Sequence, residues 1–228
     1  MAKSGSGTRT VRSFVRRTGR LTAAQNRALE ELWPRFGIDF PAEPLDLDRV
    51  FGRSAQRIVE IGFGDGQTLV QDAARHPQQD FLGVEVHTPG IGRCLIAARD
   101  LGLGNLRVIN HDAVEVLRQL PEQSLDRVNL YFPDPWPKKR HHKRRLVQPA
   151  FLELVASRLV NGGRLHIATD WENYAAHIDA VIAQSPSFEL CERRLHTEPA
   201  WHDRQATKFE RRGLRLGHSI WDWRLARI

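Results

Sequence analysis

The chain is poor in cysteine, with two in 228 residues, Cys94 and Cys191, far apart and in no CxxC pair. That spacing argues against a zinc site and a disulfide framework, so no metal is expected and a reducing cytoplasm is. No stretch approaches the roughly 18 apolar residues that would span a bilayer. The basic start is not followed by the apolar run of a signal peptide either, so a soluble protein with no membrane attachment is expected. Acid is absent up to Glu30, while the same stretch carries Lys3, Arg9, Arg12, Arg16, Arg17, Arg20 and Arg27. Against 34 Lys and Arg and 27 Asp and Glu overall, a net +7, this leading segment holds the entire excess and the remainder is formally balanced.

Residues 1–20 are rich in Gly, Ser and Arg and lack the apolar surface to order themselves, which predicts a flexible basic tail, a tether for an anion. In 21–44, Thr22 is a candidate N-cap and Leu29, Leu32 and Trp33 recur at helical spacing until Pro34 and Gly37 stop the pattern. Pro41 and Pro44 then make a linker. Residues 45–228 form one main domain. From Arg57 onward, short apolar runs alternate with helical segments, the pattern of βαβ units. Strands are predicted at 57–60, 81–86, 106–110, 126–132 and 164–168, with two more at 188–192 and 220–225. Helices are predicted at 67–75, 91–101, 114–120, 149–159 and 171–184. The fold class is therefore α/β, an open doubly wound seven-stranded sheet, mostly parallel with an antiparallel strand near the C-terminus. Its ligand crevice is expected beyond the carboxyl ends of the strands.

The first of these strands runs into Gly62-Phe63-Gly64-Asp65-Gly66, a GxGxG turn where the backbone can bend tightly and a ligand can approach. It is not the GxGxxG of dinucleotide binders. Carboxylates recur at the strand ends: Glu60, Glu85, Asp112, Asp134 and Asp170. A cleft with so many acids, including Asp65 in the glycine turn, would repel a pyrophosphate. It suits a ligand with cationic groups and a ribose diol, and S-adenosylmethionine has a sulfonium, an ammonium and that diol. Glu85 is placed to take the ribose hydroxyls.

The most unusual stretch is 132–145, FPDPWPKKRHHKRR. Asp134 sits among three prolines beside Trp136, a candidate base-stacking platform, and eight consecutive Lys, Arg or His residues follow. A fixed acid beside a cationic run reads as a reaction centre sharing a rim with a polyanion-docking surface. His141 and His142 lack partners at metal-ligand spacing. Neither cysteine is placed as a nucleophile.

These residues resemble the bacterial tRNA (guanine-N7)-methyltransferases, a family of S-adenosylmethionine-dependent enzymes with a Rossmann-like sheet. The matching stretches are VEIGFGDG (59–66), GVEVHTPGIG (83–92), NLRVINHDA (105–113), NLYFPDPWPKKRHHKRR (129–145) and TKFERRG (207–213). The resemblance implies methyl transfer from S-adenosylmethionine to N7 of a guanine, usually position 46 in the variable loop of tRNA, with S-adenosylhomocysteine as product. It implies cofactor contacts from Glu60, Glu85, Asp112 and Asp134, beside Gly62, Gly64 and Gly66 of the turn. Substrate contacts would come from Lys138, Asp170, Thr207, Lys208, Phe209 and Glu210. RNA contacts would come from Arg140, His141, His142, Lys143, Arg144 and Arg145. Asp134 would be the catalytic residue, and no protein partner is required.

Guanine N7 has an in-plane lone pair and carries no proton at neutral pH, so the reaction needs no general base. Alignment and stabilisation of the forming cation are the tasks left, and a fixed carboxylate suits both. Two other readings remain open at this point. One is another RNA or DNA nitrogen methyltransferase, although Asp134-Pro135-Trp136 lacks the second proline usual for amino-group methylation. The other is a nucleic-acid-binding protein without activity.

Overall fold

The computed structural model describes residues 13–14, 20–198 and 206–228. The basic tail of 1–20 lies almost wholly outside the described residues. Helix α1 (Ala23–Phe36) starts as expected, with Thr22 and Gln25 forming a reciprocal capping box. Gly37 caps its end as expected, whereas Pro34 lies inside the last turn. A proline forfeits its own N–H and crowds the carbonyl four residues earlier, but the turn that contains it still closes through the Gly37 N–H to the Trp33 carbonyl.

The strands are β1 (Gly37–Ile38), β2 (Gln56–Ile61), β3 (Gln79–Val84), β4 (Leu106–Ile109), β5 (Leu125–Tyr131), β6 (Leu159–Thr169), β7 (Phe188–His196) and β8 (Ile220–Arg227). They form one sheet in the order β1-β4-β3-β2-β5-β6-β8-β7. All neighbours are parallel up to β6, and β8 and β7 pair antiparallel at the end. The eighth strand, β1, is two residues long and too short to show a period-2 pattern in sequence.

Helices α2 (Leu47–Phe51), α3 (Gln67–Arg75), α4 (Thr88–Asp100), α5 (Ala113–Gln119), α6 (Pro149–Arg158), α7 (Glu172–Ile182) and α8 (Lys208–Arg215) complete the order, with a 3-10 helix at Lys139–Arg144. The short α2, the 3-10 helix and α8 were not foreseen. The 3-10 helix is so densely charged that no apolar period marks it.

Two apolar clusters sandwich the sheet. On one face, Val128, Leu130, Leu165, Ile167 and Trp223 pack under α5, α6 and α7. On the other, Ile58, Phe81 and Val108 pack under α1, α3 and α4. The second cluster reaches only β2, β3 and β4, so the same face of β5, β6 and β8 has a different lining.

Candidate active site

The cleft opens where the sheet order reverses, at the carboxyl ends of β2, β3 and β5. It has two adjoining lobes. The larger, about 330 Å³, is floored by Ile61, Val84 and Leu130 and bordered by Glu85, His111 and Asp134. The smaller, about 170 Å³, sets Glu60 and Asp65 against Arg93 and Lys208. Gly62, Gly64, His87, Tyr131 and Phe209 border both.

Backbone geometry explains the glycine turn. Gly66 has φ 76°, and a Cβ there would lie 2.5 Å from the Cβ of Cys94. A Cβ on Gly90 would lie 1.9 Å from the Gly64 carbonyl oxygen, so α4 and the turn meet backbone to backbone. Burial pushes the Cys94 thiol up, and the charges of Glu60 and Asp65 add to the shift. Its role at the turn is packing.

Glu85 follows β3 directly and is held by three backbone donors. The Gly64 N–H donates to one carboxylate oxygen at 2.8 Å, and the Val86 and His87 N–H groups donate to the other at 2.7 and 2.9 Å. Asp134 stands exposed on the lip of the larger lobe. On either side of it, Phe132 and Trp136 adopt φ of 53° and 47°, the left-handed region that bulky residues avoid. Prolines 133, 135 and 137 alternate with these positions, so the loop is fixed from both sides. The Trp136 indole N–H donates to the Ser13 carbonyl at 3.0 Å, and the Arg144 guanidinium lies 4.7 Å from its ring centroid. Protein groups therefore occupy the ring expected to stack on a base.

The cationic run divides into two kinds of residue. Lys138, Lys139, Arg140 and Lys143 are exposed, while His141, His142 and Arg144 are half-buried. Desolvation, then the charges of Arg140, Arg144, Lys138 and Lys143, pushes the His141 imidazole down. Arg145 corrects the expectation that the whole run faces RNA. It is 3% exposed, donates to the Pro135 carbonyl at 3.0 Å and the Asn173 side-chain oxygen at 2.6 Å, and lies 4.8 Å from the Tyr174 ring. It ties the proline loop to α7.

Other expected site residues lie elsewhere. Asp112 caps α5 by accepting from the Val114 N–H at 2.9 Å, while its neighbours His111 and Ala113 line the cleft. Glu210 is 1% exposed and completes a capping box with Thr207, which leaves Thr207, Lys208 and Phe209 at the cleft. Asp170 packs against Gly213 and accepts from His218 at 3.3 Å, away from the lobes. Phe14, His87, Arg93, His111 and Tyr131 line the cleft without having been singled out. Arg93 carries the one recoverable signal, a cation in the first turns of the helix after a strand-end acid.

The fold is shared with solved structures of methyltransferases. The structure of the 16S rRNA methyltransferase KamB superposes with a TM-score of 0.61 at 15% identity, over 81% of this chain and 94% of that one. A 16S rRNA (adenine(1408)-N(1))-methyltransferase from Catenulisporales acidiphilia gives 0.58 at 17% identity, over 83% and 97%. A family model described as "Putative methyltransferase" matches residues 54–223. The tRNA (guanine-N(7)-)-methyltransferase of Alkalilimnicola ehrlichii is 55% identical over 97% of this chain and 94% of that protein. That of Halorhodospira halophila is 56% identical over 94% of each. The chain belongs to the tRNA (guanine-N7)-methyltransferase family.

Proposed function

We propose that the chain methylates N7 of a guanine in tRNA, with S-adenosylmethionine as the methyl donor, as a cytoplasmic enzyme. The observation that carries this reading is the two-lobed cleft with Asp134 on its lip. The donor set fits the cofactor. In the smaller lobe, Glu60 and Asp65 suit an ammonium, and Arg93 and Lys208 suit a carboxylate, so the lobe matches the zwitterionic end of an amino acid. In the larger lobe, Glu85 is oriented by its three amides and retains acceptor capacity for a ribose diol over an apolar floor.

When bound, the cofactor would supply a methyl group on a positively charged sulfur, a group that the N7 lone pair can accept with return of the C–S electron pair to sulfur and without loss of a proton. Asp134 accepts hydrogen bonds from the Watson–Crick edge of the guanine and favours the positive charge that builds on the purine. Its fixed loop means little reorganisation accompanies that stabilisation. Lys138, Arg140, Lys143 and Arg144 meet phosphates beside this lip, so cations receive the RNA next to a cleft lined with acids.

The test is methyl transfer to unmodified tRNA followed by aniline cleavage, which breaks the chain at N7-methylguanine. A single break, at position 46 as the family resemblance implies, is expected. Methyl recovered on an exocyclic nitrogen would overturn the reading.

A further inference from the structure

Helix α8 carries its cations on one face. Lys208, Arg211, Arg212 and Arg215 follow one another at i, i+3, i+4 and i+7, a single stripe, and all four residues are exposed. The opposite face is buried: Glu210 is 1% exposed, and a Cβ on Gly213 would lie 2.8 Å from a carboxylate oxygen of Asp170. Glu210 is the only acid of the helix, and the capping box with Thr207 holds it inside.

None of the four cations is ion-paired among the described residues. Arg211 donates to uncharged oxygens, the Ala206 carbonyl at 2.6 Å and the Gln67 side chain at 2.8 Å, and Arg215 donates to the Arg211 carbonyl at 3.3 Å. Arg212 makes no hydrogen bond among the described residues. Like charges three and four positions apart disfavour a helix, and the stripe is made of such pairs. Cations near a carboxyl end do offset the helix dipole, which would account for Arg212 and Arg215 on a merely solvated face. Two other helices show what such a face looks like. The last-turn arginines of α3 and α4, Arg75 and Arg99, lie 3.7 and 2.7 Å from the carboxylates of Asp72 and Asp100. The stripe of α8 keeps no such acid beside it.

Position gives the stripe a partner. α8 begins over the glycine turn: a Cβ on Gly64 would lie 3.7 Å from the Phe209 ring, and Arg211 reaches Gln67, the first residue of α3. Phe209 borders the same lobe as Phe132, Pro133 and Asp134, whose loop runs on into the exposed cations Lys138, Arg140 and Lys143. Exposed cations therefore stand beside the cleft on two elements, the 3-10 helix that follows β5 and α8 over the turn that follows β2. Three of the four on α8 are arginines, whose planar forks match phosphate oxygens.

We infer that Arg211, Arg212 and Arg215 of α8 form a second phosphate-binding element for the tRNA, so that the strand carrying the target guanosine is held on two flanks of the cleft. The inference rests on the function proposed above. Lys208, at the head of the stripe, borders the smaller lobe and is left to the carboxylate of the cofactor. An acidic protein would match the charge as well, but it has no need of a site beside the lobe that the guanine enters, whereas the strand bearing that guanine must pass there. Phosphate contacts carry no sequence information and fix register instead. On α8 they set the register in which a guanosine reaches Asp134.

The test measures binding of the full chain to unmodified tRNA over a series of salt concentrations. The variant combines Arg212→Ala with Arg215→Ala, two side chains that hold no other element in place. Its dependence of log affinity on log salt should be shallower by about 1 to 2, and its affinity at low salt about tenfold weaker. Single-turnover methyl transfer at saturating tRNA should stay within about twofold of wild type, because the contacts are made before the chemical step and persist through it. Arg75→Ala with Arg99→Ala removes the same net charge elsewhere and should leave the slope unchanged. In ethylnitrosourea footprinting, the α8 variant should lose phosphate protection on one side of the methylated guanosine, and replacement of Arg140, Lys143 and Arg144 on the other side. An unchanged slope, which would give the stripe to solvent or to an acidic protein, would overturn the inference. So would an equal change from the Arg75 and Arg99 control, or loss of the same phosphates from both RNA-facing variants. Methyl recovered on an exocyclic nitrogen, with the slope still shallower in the α8 variant, would sink the proposed function and leave the α8 contact standing.

Discussion

Asp80 and Glu85 sit at opposite ends of β3 and are buried to similar degrees, 1% and 8% exposed. Their charges are handled in opposite ways. Asp80, at the amino end, is ion-paired with Arg53 at 2.5 Å and with Arg57, whose guanidinium also meets Asp48. Glu85, at the carboxyl end, takes only backbone N–H groups among the described residues. One charge is neutralised inside the protein and serves to join α2, β2 and β3. The other is oriented by dipoles and stays available to a ligand, a cheaper arrangement to reverse when a ligand arrives than a broken ion pair.

Removing the neutralised charge should have the largest effect. Asp80→Ala leaves Arg57, 4% exposed, without its buried counter-ion, and is expected to lower unfolding free energy by about 3 to 5 kcal/mol in urea titration. The folded fraction should bind cofactor normally; loss of cofactor affinity with unchanged stability would reverse the roles assigned to the two ends. Next comes Asp134→Ala. As an exposed loop residue it should leave stability nearly unchanged, while single-turnover methyl transfer falls on the order of a hundredfold and tRNA affinity stays within a few-fold. An active variant would reduce Asp134 to a turn residue.

The smallest expected effects separate the two kinds of residue in the basic run. Replacing Arg140, Lys143 and Arg144 by Ala should flatten the dependence of log tRNA affinity on log salt by about 2 to 3. Arg145→Ala should leave that slope alone and instead lower stability by about 1 to 3 kcal/mol, through the charged hydrogen bonds lost at Pro135 and Asn173. An equal change in slope from Arg145 would return it to the RNA surface.

Sheet class, strand sequence and the position of the cleft were legible because apolar runs and turn glycines report local conformation. The glycine turn, Glu85 and Asp134 were legible because strand ends in a parallel sheet share one side. Sequence does not say which charged group faces outward. Arg145 continues a cationic run yet is buried under Tyr174, and Glu210 lies between exposed charges yet is consumed by a capping box. Asp112 and Asp170 stand at strand ends, but one caps α5 and the other packs against Gly213 of α8, and neither is among the residues that border the lobes. The buried contacts of His166 with Tyr131 and Asp222 join residues 35 and 56 positions apart. Their only local trace is a polar residue between apolar neighbours, Leu165-His166-Ile167 and Trp221-Asp222-Trp223, which solvent-facing alternation would equally produce.

The central claim, that the charge at the carboxyl end of β3 is kept for the cofactor, is tested most directly by calorimetric titration of S-adenosylmethionine into wild type and Glu85→Gln. Wild type should bind at one site, and the variant between about tenfold and a hundredfold more weakly, the effect of losing a charged hydrogen-bond acceptor. Equal affinity in the two proteins, or no binding to wild type, would contradict it.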